Sequence, residues 1–338
     1  MTRISQEERT VGSLIVEPHR PALTLHRVTA LLPFRLDFET GDPLVEWIAT
    51  DGSRLTEPFF EQTLARLRFG NPANSRTRRP RTPLTELRDV PPDVPPAAFI
   101  FHVSRCGSTL LTQMLAALPR NLVVSEPEII DDILRINQRI STVTDEDRIA
   151  WLRGAVHALG QRTAVGGERL FVKLSSWHIL SLPLIRRAFP SVPMLFVYRN
   201  PVEVLVSLMR KPSLSIVRDT VTPDQLGLTL EARNSLSPEE HAAAVLGAHF
   251  RAAVEHRDAL VPIGYEQLPD IVWTVIPGYS VTADERALMR EAAAFDAKKP
   301  EQRFISDTKS KQNTASPEIL AAAARWAEPH YARWLAVL

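Results

Sequence analysis

The stretch from residue 98 to residue 118 limits what this chain can fold into more than any other. It reads Ala-Phe-Ile-Phe-His-Val-Ser-Arg-Cys-Gly-Ser-Thr, and Leu110, Leu111, Met114, Leu115 and Leu118 then recur at helical spacing. Phe99 to Val103 has the length and the aromatic and β-branched content of a buried strand. Ser104, Arg105, Cys106, Gly107, Ser108 and Thr109 follow at once, so strand, tight polar turn and helix succeed one another without a spacer. That geometry aims free backbone N–H groups and the positive end of a helix at an anion. Gly107 lets the backbone approach closely, and Arg105, Ser108 and Thr109 add donors. The stretch reads as a phosphate-binding loop. It is not a Walker loop, because Gly107 is followed directly by Ser108 and no lysine precedes the hydroxyl that would hold Mg²⁺. Cys106, at a helix N-terminus beside Arg105, is expected to carry a lowered thiol pKa and to be reactive.

From residue 97 onward short apolar runs alternate with helical patterns. Strands are expected at Phe99–Val103, Leu122–Ser125, Leu170–Leu174, Met194–Tyr198 and Leu260–Gly264. Helices are expected at about 107–118, 127–139, 145–161, 178–188 and 201–210. This alternation predicts an α/β fold, a parallel sheet flanked by helices. Residues 1–90 read as a small N-terminal α+β unit. Phe34–Glu39 and Val45–Thr50 form a hairpin across Gly41-Asp42-Pro43, and a helix starts near Pro58 and runs through Leu67. Nothing in this unit has catalytic spacing. Arg76, Arg78, Arg79 and Arg81 lead into the Pro-rich stretch 91–96, and together they read as a solvated linker to the main domain, 97–338.

A chain of 338 residues can bury one large core with a small appended unit. Its net charge of +1 argues against general nucleic-acid binding. Cys106 is the only cysteine, so no intrachain disulfide forms. Met1–Thr10 lacks an apolar signal core, and no apolar run has the length of a membrane span. The expectation is a cytoplasmic protein without nucleic-acid or membrane partners, its oligomeric state left open.

Ligands of an open parallel sheet bind beyond the carboxyl ends of its strands. The expected strands end at Ser104-Arg105, Glu126-Pro127, Lys173, Arg199-Asn200-Pro201 and Tyr265-Glu266, all polar. In the fourth, Asn200 suits a helix cap and Pro201 its first position. Arg199 can fork onto phosphate oxygens while Ser207, two turns along that helix, donates a hydroxyl to the same group.

The run Phe189–Ser207 resembles the 3′-phosphate motif of sulfotransferases that use 3′-phosphoadenosine 5′-phosphosulfate (PAPS). Ser104–Thr109 resembles their 5′-phosphosulfate loop. The resemblance covers about residues 97–312. It implies a P-loop sulfotransferase fold, PAPS as sulfuryl donor, adenosine 3′,5′-bisphosphate (PAP) as product and no metal. It places Ser104, Arg105, Cys106, Gly107, Ser108 and Thr109 on the phosphosulfate and Arg199 and Ser207 on the 3′-phosphate. Lys173, with Arg105, would stabilise charge on the transferring group. The chain departs from the Lys-Thr-His pattern of many members, since Ser175 stands where their basic histidine lies and His178 comes later. Ser125-Glu126-Pro127 is similar to the arrangement of branches that use a glutamate. Two candidates therefore remain for the general base, Glu126 and His178, with Glu126 preferred. Pro127 should hold the Glu126 backbone extended, and partial burial should raise its pKa. Lys309 and Lys311, in the loop after Arg303, take the place of the family's C-terminal phosphate clamp. The reading is an enzyme, a transferase passing a sulfuryl group to the hydroxyl or amine of a small molecule, with residues 211–238 shaping the acceptor pocket. The alternatives are a P-loop phosphotransferase and a non-catalytic, PAP-binding regulatory module.

Overall fold

The computed structural model describes residues 31–338 apart from 40, 76, 78, 162–166, 297, 298 and 304–307, with the backbone alone at 296, 299–303 and 308–310. The chain opens with β1 (Leu31–Asp37), β2 (Leu44–Ala49), α1 (Phe60–Gly70) and β3 (Arg81–Pro83). The main domain continues with β4 (Pro96–His102), α2 (Ser108–Ala116), β5 (Asn121–Ser125), α3 (Glu128–Arg135) and α4 (Asp145–Leu159). Then come β6 (Arg169–Lys173), α5 (Leu182–Ala188), β7 (Met194–Tyr198) and α6 (Pro201–Arg210). Two short helices, α7 (Pro223–Leu226) and α8 (Leu230–Ser235), precede α9 (Pro238–Glu255) and β8 (Val261–Gly264). The C-terminal part holds α10 (Val272–Val275), α11 (Ala283–Ala293), β9 (Phe295–Asp296), β10 (Lys299–Arg303), α12 (Thr308–Asn313), α13 (Pro317–Ala322) and α14 (Glu328–Ala336).

The expected strands fall within a residue or two of the observed ones, apart from the start of β4. They form a parallel five-stranded sheet in the order β5-β6-β4-β7-β8. Phe99 and Ile100 of β4 pair with both β6 and β7, Phe101 pairs with Phe196 of β7, and all three are covered. Such double coverage explains why β4 reads as a continuous apolar run rather than an alternating one. The chain steps from β4 outward to β5 and back to β6, then crosses to β7 on the other side. The order thus reverses at β4, which puts a ligand crevice at its carboxyl end. On the far side α9 packs against α6 and α14, and Trp334 of α14 meets Phe196 edge-on at 5.1 Å between centroids.

The N-terminal strands form an antiparallel sheet in the order β1-β2-β3, and α1 starts two residues after Pro58 rather than at it. Arg79 and Arg81 are not solvated as the sequence suggested. Arg79 stacks over Phe34 at 4.9 Å and lies 3.4 Å from the fully buried Glu46, to which Arg35 and Arg81 also bond. Burial would raise the Glu46 pKa, but these guanidiniums outweigh it and hold the carboxyl below its usual range. The core of this unit is continuous with that of the main domain. Gly154 of α4 makes one close approach possible, since a Cβ there would lie 1.7 Å from the Leu87 carbonyl oxygen.

Asp132 of α3 ties the two sheets together by accepting the Leu36 backbone N–H at 2.7 Å. Burial pushes its pKa up to about 6, aided by Glu128 and Asp131 and opposed by that hydrogen bond. A carboxyl whose folded pKa is raised favours the protonated fold, so its destabilising effect grows as pH rises from the unfolded pKa through the folded one. Asp132→Asn is therefore expected to raise the thermal midpoint at neutral pH. The gain should shrink as pH falls through about 6, which a pH series of melting curves on both proteins will read.

Candidate active site

The loop that the sequence suggests for an anion begins where β4 stops, and its backbone takes an uncommon shape. Ser104 and Arg105 both have positive φ, 68° and 51°, and Gly107 follows at 88°. Left-handed backbone costs an L-residue about 1–2 kcal/mol, so two such residues in a row need local compensation. His102 supplies part of it, its Nδ1 accepting the Ser104 N–H at 3.0 Å. Gly107 allows the last step: a Cβ there would press within 2.9 Å of Leu268 and Tyr265. The turn leaves Ser108 and Thr109 at the start of α2.

Cys106 differs from expectation. It is completely buried and its Sγ–H donates to the Val197 carbonyl at 3.2 Å. Burial raises the thiol pKa by more than the neighbouring N–H groups and cations lower it. The thiol is a packing group under the loop and does not face the cleft.

Loop and strand ends enclose a cleft of about 120 Å³. Ser104, Arg105, Ser108, Thr109, Glu126 and Lys173 line it, together with His102, Phe59, Ser176, Trp177, Ser213, Leu214 and Ser215. At its centre Lys173, 1% exposed, sets Nζ 2.6 Å from Glu126 Oε1 and 3.5 Å from Thr109 Oγ1. The ring of Phe59 lies 4.8 Å from the same ammonium. Glu126 departs from the extended backbone expected before proline: its φ is 59°, and its N–H bonds the Lys173 carbonyl at 2.7 Å. Its pKa also goes the other way. Burial raises it, but Lys173 and His102 together outweigh burial and hold the carboxyl well below the usual carboxylate range.

His178 lies apart from this cleft. It is buried, with Nδ1 accepting the Ser175 N–H at 3.3 Å and Nε2 2.9 Å from Asp131 Oδ1. Trp177 Nε1–H donates to the same oxygen at 2.6 Å. The helix expected from 178 begins instead as a 3₁₀ turn at Ser176, and the His178 ring caps it.

Arg199 sits at the end of β7, 3% exposed, with Nε 2.6 Å from Glu203 Oε2 and its guanidinium 3.8 Å from the Tyr265 ring centre. Glu203 is buried and also accepts from Gln312 at 2.8 Å. Ser207 accepts a hydrogen bond from Arg105 Nε at 2.8 Å, so the loop and α6 meet side by side. Asn200 caps α6 by accepting the Val202 N–H at 3.0 Å, as its position before Pro201 suggested. The expected loop around Lys309 and Lys311 is helical at 308–313; Lys311 is buried, and the Lys309 side chain and residues 304–307 lie outside the described residues.

Several lining residues were not singled out from the sequence. Phe59 belongs to the N-terminal unit. Ser213 and Ser215, 2.7 Å apart, lie in the 211–238 segment, and Ser213 reaches Ser104 at 3.5 Å. Arg218 and Arg233 of that segment bond each other's carbonyls at 2.6 Å and bind the segment to itself. No group of side chains suited to hold a metal occurs among the described residues. No helix among them is long and apolar enough to cross a membrane.

Residues 96–270 match the family model described as the sulfotransferase family, more than half of the chain. The chain belongs to the sulfotransferase family. As a sulfotransferase it carries out sulfuryl transfer, and the whole cleft lies in or against the matched segment. Among solved structures it is similar to a sulfotransferase from Alicyclobacillus acidocaldarius, at 20% identity over 72% of this chain and 96% of that one, with a TM-score of 0.39. It is similar also to one from Mycobacterium avium, at 13% identity over 75% and 79%, TM-score 0.43. The third is a sulfotransferase domain from the curacin biosynthetic pathway, at 16% identity over 69% and 97%, TM-score 0.39. Comparison with curated proteins returns no match.

Arg199→Ala would leave Glu203 buried with its charge unbalanced. Removing one partner of a buried pair costs about 3–5 kcal/mol. Urea denaturation of this variant is expected to show a loss of that size, whereas Arg199→Ala combined with Glu203→Gln should recover part of it.

Proposed function

We propose that this sulfotransferase moves the sulfuryl group of PAPS to the hydroxyl of a small-molecule acceptor and releases PAP. The observation that carries the reading is the Lys173–Glu126 pair, 2.6 Å apart at the carboxyl ends of adjacent strands and open to the cleft under the anion loop. Arg105 and the N–H groups of Gly107, Ser108 and Thr109 hold the phosphosulfate. Ser207 and Arg199 hold the 3′-phosphate, Arg199 sharing its guanidinium with Glu203. Lys311, on the helix that packs against α6, and Lys309 beside it stand nearest in sequence to the proposed clamp.

Glu126 takes the proton of the acceptor hydroxyl as its oxygen forms the new bond to sulfur, and the bond from sulfur to the leaving phosphate oxygen breaks. Lys173 balances the charge that grows on that phosphate oxygen and on the sulfuryl oxygens. The two roles are linked. While Lys173 bonds Glu126 the carboxylate is ionised but weakly basic; as the ammonium turns to the sulfuryl group, Glu126 loses its counter-charge and its pKa rises toward that of a useful base. Glu126 is favoured over His178 because His178 faces Asp131 and does not line the cleft. Phe59, Trp177 and Leu214 form apolar walls, so the N-terminal unit and the 211–238 segment shape the acceptor site from two sides.

PAP is expected to stabilise the protein without divalent metal, by about 2.7 kcal/mol at a hundred times its Kd. Thermal shift with PAP, PAPS, ATP and GTP, with and without Mg²⁺, checks this; a response to Mg²⁺-ATP alone would overturn the reading.

Glu126→Gln is expected to lower kcat by about 10² to 10⁴, with PAP affinity nearly unchanged. His178→Ala should cost less. Normal turnover in Glu126→Gln beside an inactive His178→Ala protein that still binds PAP would reverse the assignment.

A further inference from the structure

His102 has so far been given a hydrogen bond to the loop and a share in holding Glu126 ionised, and its ring touches both at once. It is 5% exposed, at the last position of β4. Nδ1 lies 3.0 Å from the Ser104 nitrogen. A backbone N–H can only donate, so Nδ1 must present its lone pair and the ring proton must sit on Nε2. Nε2 lies 3.0 Å from the Leu174 carbonyl oxygen, just past the end of β6, and 3.4 Å from Glu126 Oε1. Both are acceptors, so a single N–H is shared between a fixed carbonyl and the carboxylate. A second ring proton would point at the Ser104 N–H, and burial together with Lys173 also disfavours the charged ring. Glu126 opposes both by favouring the charged ring. His249 on α9 is buried, which pushes its pKa down to about 3, His102 adding to the shift.

We propose that His102 is a positioning residue that couples the anion loop to the general base, one ring nitrogen setting the left-handed turn at Ser104 and the other setting the orientation of Glu126. The ring cannot turn to improve one contact without losing the other, so the loop is shaped for an anion only when the carboxylate is also aimed. The proposal rests on the functional reading above for the identity of the anion and the base. Its geometry stands on the two ring nitrogens alone.

Two substitutions split the ring into its halves. His102→Asn keeps an acceptor oxygen near the Nδ1 position and loses the distal donor; His102→Gln places an amide N–H near the Nε2 position and loses the proximal acceptor. In the Asn variant the Ser104 amide should stay protected from hydrogen exchange and PAP should bind near wild-type affinity. Release of PAP from PAPS, with methanol as an acceptor small enough for the cleft, should slow about tenfold. In the Gln variant the Ser104 amide should exchange faster and PAP affinity should fall about tenfold, while turnover at saturating PAPS stays closer to wild type. A merely structural role would lower the thermal midpoint of both variants and shift the same parameter in both; that result, or a Ser104 amide protected equally in both, overturns the proposal. If the wild-type protein binds no PAP the functional reading fails, and the Ser104 amide still decides the coupling.

Discussion

A lysine ammonium with 1% of its surface exposed governs the carboxyl edge of this sheet. Taking such a charge out of water costs several kcal/mol unless it is paired and hydrogen-bonded. Every neighbour of Lys173 answers that cost. Glu126 brings the opposite charge, Thr109 a hydroxyl oxygen, and Phe59 the negative face of a ring. Glu126 can reach the ammonium only because its backbone turns left-handed directly after β5, and its N–H is then held by the Lys173 carbonyl. The strain at Glu126 and the burial of Lys173 are thus two sides of one arrangement. Strain kept at a cleft by surrounding contacts is what a preorganised site requires.

A second buried cation, Arg199, repeats the logic one strand over. Glu203 neutralises it from the next turn of α6, Tyr265 covers its flat face, and Gln312 ties Glu203 to α12. Tyr265 and Leu268 also crowd Gly107, so the residues after β8 brace both the anion loop and Arg199. Helix α12 thereby gains a structural reason to lie where it does: its Gln312 bonds the Glu203 oxygen that Arg199 Nε does not reach.

What could be read from the sequence was what is local. The strand Phe99–Val103, the turn at Gly107 and the cap at Asn200-Pro201 each follow from residues that touch within a few positions, and the structure has all three. The polar strand ends were legible too, because parallel strands must deliver them to one edge. Burial was not. Cys106 has the right neighbours for an activated thiol, but Val197 on β7 closes over it, a contact set by the register between β4 and β7. Glu126 was expected to rise in pKa from burial alone; Lys173 and His102 reverse the sign, and both reach it across strands. Phe59 could not be found from spacing, since it stands over a hundred positions before the lysine it covers and outside the matched family segment. His102 hid in plain view as the last residue of an apolar strand, where a histidine is more often a packing group.

Charges that are already paired shape what binding costs. Free buried cations would each have to be desolvated in the unliganded protein, and an anion would gain the full Coulomb attraction on entering. With Lys173 on Glu126, an anion entering the cleft exchanges partners with the carboxylate, and with Arg199 on Glu203 it meets a cation already paired; either way it desolvates little new charge. The gain in affinity is smaller, but in the proposed mechanism the exchange at Lys173 releases a carboxylate in the same movement. On the proposed reading this ties the chemistry to the ligand: Glu126 is weakly basic while the cleft holds no sulfuryl group and becomes more basic as the ammonium turns away from it. Water in a vacant cleft then meets a carboxylate whose charge is spoken for, and only a bound donor makes the proton transfer favourable. The Glu203 partner has no such release, because Gln312 and Tyr265 hold its pair from both sides. On the proposed reading the Lys173–Glu126 pair opens and the Arg199–Glu203 pair stays closed, and the difference lies in whether the carboxylate faces the cleft.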